Sequence, residues 1–128
     1  MTTQEAVTTT QEIADRFYQL SQDNNWSQIQ AELFSDDAES IEPAHAAAQG
    51  GMSNAKGREA IQQKGKAFQE SVEDFHGGYS GKPIVAGNHF AVAMGMEVTL
   101  KGMGRMKMEE IALYEVKDGK IVKEQFFY

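Results

Sequence analysis

His89-Phe-Ala-Val-Ala-Met-Gly-Met-Glu-Val-Thr-Leu100 alternates from end to end. Phe90, Val92, Met94, Met96, Val98 and Leu100 fall on one side, and Ala91, Ala93, Gly95, Glu97 and Thr99 on the other. A period of two over this length predicts a strand with one buried face. The bulky row carries most of the burial free energy, so it is expected to face the interior. Downstream, Lys101-Gly-Met-Gly104 turns the chain into a strand predicted over 105–116. Lys117-Asp118-Gly119 then makes a hairpin into a last strand over 120–128. Upstream, residues 73–87 read as a strand bent by Gly77-Gly78 and Gly81. The second half of the chain is therefore an antiparallel meander.

Before residue 73 the period is helical. Ile13, Phe17 and Leu20 form the stripe of a helix over 11–22, which Asp23-Asn24-Asn25 ends. Asn25 is placed to cap a second, short helix, with Gln28 in capping-box position and Trp26, Ile29, Leu33 and Phe34 on its apolar side. Ser35-Asp36-Asp37 closes it. A short strand is expected over 38–44, with Ser40 and Glu42 on one face, Glu39 and Ile41 on the other, and Pro43 confining it to a sheet edge. After a loop over 45–54, Ile61, Lys64/Gly65, Phe68 and Val72 mark a third helix over 57–72. Gly65 inside it costs about 1 kcal/mol against Ala, which close approach of another element would explain. The order predicts an α+β fold, with helices gathered on one face of a curved antiparallel sheet. A single domain is expected over 11–128, after a flexible start at 1–10.

Composition narrows the function. The chain has 128 residues, 41% hydrophobic and 24% charged, the balance of an ordinary globular domain. The absence of cysteine excludes disulfides, thiolate metal sites and thiol nucleophiles, and fits a reducing compartment. A net charge of −7 argues against nucleic acid and against an anionic membrane surface. No apolar run reaches membrane-spanning length and no secretion signal opens the chain, so a cytoplasmic location is expected. His45, His76 and His89 show no metal-binding spacing, and no metal is expected. No cofactor is expected either: Gly102-Met-Gly104 lacks the third glycine and following helix of a dinucleotide site, and no P-loop is present.

The last hairpin decides which acids face inward. A two-residue turn at Asp118-Gly119 pairs Ala112 with Gln125. A turn through Lys117-Asp118 with Gly119 as a bulge pairs Ala112 with Glu124. The second is preferred, because it groups Val122, Phe126 and Tyr128 with Ala112 and Tyr114. Glu110 and Glu124 then share the helix-covered face. Acids there are costly unless paired or wet. They can polarise a ligand, share a proton, or bond to Tyr18, His76 or Arg16; in another register one of them lies in solvent. Tyr18, Trp26, Met94, Met96, Tyr114 and Phe126 read as core that also walls a pocket, with His76 beside Gly77-Gly78 at its lining. Ala91, Ala93, Gly95, Ile111, Leu113 and Phe127 leave an apolar patch on the opposite sheet face, which predicts a homodimer through the sheet.

The order of elements, with Leu33-Phe-Ser-Asp-Asp-Ala38, Lys56-Gly-Arg-Glu-Ala-Ile61 and Tyr114-Glu-Val-Lys-Asp-Gly-Lys-Ile-Val122, resembles the SnoaL-like branch of the nuclear transport factor 2-like superfamily. The likeness runs from Ile13 to Tyr128. It implies a cone-shaped curved sheet packed on three helices around a pocket, and dimerisation through the sheet. Some such proteins are isomerases, cyclases or dehydratases of small apolar molecules; many are binding modules. In ketosteroid isomerase relatives a carboxylate base precedes a proline on the first strand, and Glu42-Pro43 matches that position. Their acid on the strand before the last hairpin falls at Ala112. Their first-helix tyrosine falls nearest Arg16 or Phe17, with Tyr18 adjacent. The resemblance implies a small-molecule pocket in which Glu42 is a base assisted by Glu110 or Glu124. The other reading of Glu42 is a strand-edge glutamate that faces water or pairs with a lysine. The alternative function is a noncatalytic ligand-binding or dimerisation module.

Overall fold

In order, the chain forms α1 (Thr10–Gln22), α2 (Trp26–Leu33), β1 (Phe34–Ile41), α3 (Ala44–Ala48), β2 (Ala55–Lys56), α4 (Arg58–Ser71), β3 (Val72–Ser80), β4 (Ile84–Ala86), β5 (His89–Leu100), β6 (Gly104–Lys117) and β7 (Lys120–Phe127). This computed structural model describes residues 8–48 and 52–128. The expected flexible start lies mostly outside the described residues. Of that start, Thr9 caps α1: its hydroxyl accepts from the Glu12 N–H at 3.1 Å, and Glu12 Oε1 accepts from the Thr9 N–H at 3.0 Å. This reciprocal box satisfies two of the N–H groups a helix start leaves bare.

The capping box expected at Asn25 does not form. Asn25 is the cap residue of α2, but its side chain makes no capping bond. Gln28 instead turns forward and donates to Glu32 Oε1 at 3.0 Å. The segment 45–54, expected as a loop, carries the short α3, where consecutive alanines supply the best helix former. The expected strand over 73–87 is two strands, β3 and β4, separated where Pro83 withholds an N–H.

The sheet runs β2-β1-β7-β6-β5-β3, with β4 on the other half of the β5 edge. All pairings are antiparallel except β1 with β7. The first strand begins at Phe34, four residues earlier than expected. It is flanked by β7 and β2 rather than lying at the edge. Ile13, Phe17, Ile29, Leu33 and Ile61 from the helices meet Phe34, Phe90, Val92, Tyr114, Val116 and Ile121 of the sheet, all buried. The ring centres of Phe17 and Tyr114 stand 4.8 Å apart, and Phe90 stacks on Tyr114 at 4.9 Å, so aromatic rings join α1 to the sheet. Gly65 has the close neighbour its position calls for: a methyl there would lie 3.4 Å from Gln30 Nε2 of α2.

The expected hairpin register is corrected. Asp118 (φ 52°) and Gly119 (φ 76°) are both left-handed, which makes a two-residue turn with Lys117 opposite Lys120. That turn puts Ile121 inside, opposite Val116. Left alone it would aim Glu124 outward. The register then steps between Val116 and Glu115, leaving Val122 as the extra residue of a bulge. One inserted residue reverses the alternation. Ala112 therefore pairs with Phe126 and Tyr114 with Glu124, and both β7 residues return to the inner side. Val122, expected inside with them, is only half-buried.

Candidate functional site

Between the helices and the inner face of the sheet lies a cavity of about 770 Å³. Its apolar wall includes Trp26, Ile61, Phe68, Met94, Met96, Val98 and Phe126. The alternation of β5 places the methionines there. Exposed Phe75, Lys107, Glu109 and Tyr128 also line it and mark where it opens.

Polar side chains from several elements meet at this space. Glu42, just past β1, is anchored by its N–H to Asn54 Oδ1 at 2.8 Å. Its carboxylate takes the Lys64 ammonium on Oε2 at 2.5 Å and the Tyr128 hydroxyl on Oε1 at 2.6 Å. Both side chains of the ion pair are largely sealed from solvent, at 13% exposure for Lys64 and 6% for Glu42. Lys64 reaches the site because it follows Ile61 by three residues, on the face of α4 that packs on the sheet. It also donates to Ser40 Oγ at 3.0 Å and lies 5.6 Å from the centre of the Phe126 ring.

Ser40 sits opposite Glu124 in the parallel β1–β7 register, and its hydroxyl serves the Glu124 carboxyl. Glu124 is buried, and burial pushes its carboxyl up to about 7 against the lowering effect of Ser40 and Lys64. Glu110 lies across from Met94, two residues before the buried Ala112. Burial first, then the charges of Glu42 and Glu124, push its carboxyl up to about 7. It makes no side-chain hydrogen bond within the described residues. The Tyr114 hydroxyl is raised well above its ordinary value by burial and by both acids. Tyr128 is likewise raised, by burial and by its bond to Glu42.

Of the residues singled out in the sequence, Glu42, Glu110, Glu124, Trp26, Met94, Met96, Tyr114 and Phe126 line this one cavity. Tyr18 and His76 do not. Tyr18 lies on α1, outside the lining, and His76 is exposed with Nε2 2.7 Å from Thr99 Oγ1. Arg16, another expected partner of the acids, pairs with Glu32 instead, at 2.7 Å. Three participants carried no assigned role in the sequence: Lys64, Ser40 and Tyr128. The signal for Lys64 was a cation interrupting an apolar stripe. Among the described residues no cluster of side chains could hold a metal ion, and no helix is long and apolar enough to cross a membrane.

The SnoaL-like domain profile matches residues 8–128. A protein of Mesorhizobium loti assigned as a SnoaL-like polyketide cyclase is 37% identical, with a TM-score of 0.86, covering 94% of this chain and all of its own. A protein of Catenulispora acidiphila with a ketosteroid isomerase-like fold, in complex with trimethylamine, is 22% identical with a TM-score of 0.68, covering 94% and 87%. A protein of Xanthomonas campestris with a cystatin-like fold is 18% identical with a TM-score of 0.73, covering 94% and 90%. The two less similar neighbours share the fold alone. No curated protein matches this chain.

Proposed function

The chain belongs to the SnoaL-like domain family, and from that membership and the chemistry of its cavity we propose that it binds a small, mostly apolar molecule and moves a proton on it. Glu110 is the acid–base group in this reading. The observation that carries it is the state of that carboxyl: it lines an apolar cavity, has no hydrogen-bond partner in the described residues, and stands at about 7. Such a group takes and returns protons at ordinary pH, where the driving force for transfer in both directions is small.

The chemistry follows for a ligand with a C–H bond beside a carbonyl. The proton passes to the Glu110 carboxylate as the C–H bond breaks, and the electron pair moves onto the carbonyl oxygen. An ammonium carries three protons, and Lys64 spends two on Glu42 and Ser40. The third is left for the developing oxyanion. Return of the proton from Glu110 to carbon completes the exchange. Glu42, expected as the base, is occupied by Lys64 and Tyr128; its part here is to hold the ammonium in place.

Exchange of the α-hydrogens of 2-tetralone in D₂O, followed by proton NMR, tests the reading. Wild-type protein should accelerate exchange and Glu110→Gln should not. No acceleration by the wild type, or an unaffected variant, removes the proton-transfer step. The noncatalytic binding module would then stand, a reading that Ala112 favours, since the family's usual acid is missing there.

We propose further that a second copy of the chain covers the outer sheet face. Ile111 and Phe127 are neighbours there in register and are 51% and 49% exposed, with Leu113 and Ile84 beside them. An apolar patch on a sheet face is most simply covered by the same patch of a twofold partner.

A further inference from the structure

We infer that the molecule this cavity takes is an organic cation: an amine or quaternary ammonium on a compact apolar body. The inference rests on the cavity being a ligand site, as proposed above, and it names the ligand's charge. The argument starts from a charge count. Three carboxyl groups face the cavity, from Glu42 at the end of β1, Glu110 on β6 and Glu124 on β7. Among the described residues the sole interior cation is Lys64 of α4, and Glu42 already holds it at 2.5 Å. Lys107 and Glu109 stand at the rim, both well exposed, where water screens them. The other polar side chains of the lining, Tyr114, Tyr128, Asn24, Gln30 and Gln69, are neutral hydroxyls and amides. Among the described residues Glu110 and Glu124 have no ion-pair partner of their own; Lys64 only tempers their charge from its pairing with Glu42, and a carboxylate-bearing ligand would add a further negative charge to the cavity.

A second observation points to the same spot. Tyr114 is only 2% exposed, yet its hydroxyl has no hydrogen-bond partner among the described residues. No side-chain oxygen among those residues is both sealed from solvent and unbonded, so this hydroxyl opens on the cavity that its residue lines. It sits beside Glu124 in register, four residues from Glu110. Two carboxyls and a phenol lining one cavity, with Trp26, Phe68 and Phe126 in the same wall, offer a cation both counter-charges and aromatic faces. A bound ammonium would leave both acids ionised, which also places Glu110 in its basic form when the ligand is seated.

Benzyltrimethylammonium and its uncharged isostere neopentylbenzene, titrated against the full chain, test this. At pH 8 the cation should bind at least tenfold more tightly than the isostere. Between pH 6 and pH 8 its affinity should rise about a hundredfold, because two carboxyls near 7 must each lose a proton to serve as counter-ions, about tenfold apiece. The isostere should show no such rise. Glu110→Gln and Glu124→Gln should each reduce the cation's rise to about tenfold, the share of the carboxyl that remains. An isostere that binds as tightly as the cation, or a cation whose affinity is flat with pH, overturns the inference and leaves the cavity reading intact. Binding of neither compound overturns both.

Discussion

Replacing Glu110 by Gln should stabilise the protein by an amount that grows with pH. The folded protein holds this carboxyl near 7, against 4.5 for an unburied one. Below about pH 4.5 the group is protonated whether the chain is folded or not, and it costs nothing. Between the two values the unfolded chain releases a proton that the folded chain keeps, so stability falls as pH rises. Above about pH 7 the cost is complete. At 1.36 kcal/mol per pH unit, this comes to about 3 kcal/mol. Gln has nearly the same shape, cannot ionise, and breaks no side-chain hydrogen bond, since Glu110 makes none within the described residues. For a chain of 128 residues, 1 kcal/mol moves the melting temperature by about 4 °C. The variant should therefore melt about 10 °C higher near pH 8 and at the wild-type temperature near pH 4.5. Thermal unfolding followed by circular dichroism at half-unit steps from pH 4.5 to 8.5 measures the gap. Parallel curves with a constant offset, or a variant less stable at pH 8, would refute the placement of Glu110 in an apolar cavity.

Two further outcomes follow from the geometry. Lys64→Met should destabilise the protein by about 3 kcal/mol near neutral pH, because it strands Glu42 in a sealed site; the double variant Glu42→Gln/Lys64→Met should recover most of the loss, as denaturant unfolding would report. Sedimentation should find the wild type dimeric at micromolar concentration, and Ile111→Glu with Phe127→Glu should yield a folded monomer. A monomeric wild type would rule out the sheet-face assembly.

The architecture was legible because two periods govern it. The helical stripe of Ile13, Phe17 and Leu20 and the alternation from Phe90 to Leu100 are local patterns, and burial of one face follows from each. The family's segments were legible for the same reason, each being a short run at a fixed place in the order. The start of β1 was harder. Phe34 serves as the C-cap of α2 and as the first residue of the strand, so neither pattern ends cleanly there. The capping box at Asn25 had the right residue types, but Gln28 had a better partner one turn on.

The inner acids show the division most clearly. Glu110 and Glu124 faced inward in the sequence reading through a register that the chain does not use. They face inward in the structure because a two-residue turn and a bulge at Val122 together restore the same alternation. A turn followed by a slip is set by how β7 packs between β1 and β6, which no local pattern encodes. The same holds for Lys64. Sequence placed it on the buried stripe of a helix, and only the approach of β1 to that helix gave it Glu42 and Ser40 as partners. The sequence by itself determined which elements form and which faces they bury, because periodicity and propensity act within a few residues. The tertiary structure decided which charges meet, because Glu42, Lys64, Glu110, Glu124 and Tyr128 come from separate elements and become neighbours only when the sheet curls over the helices.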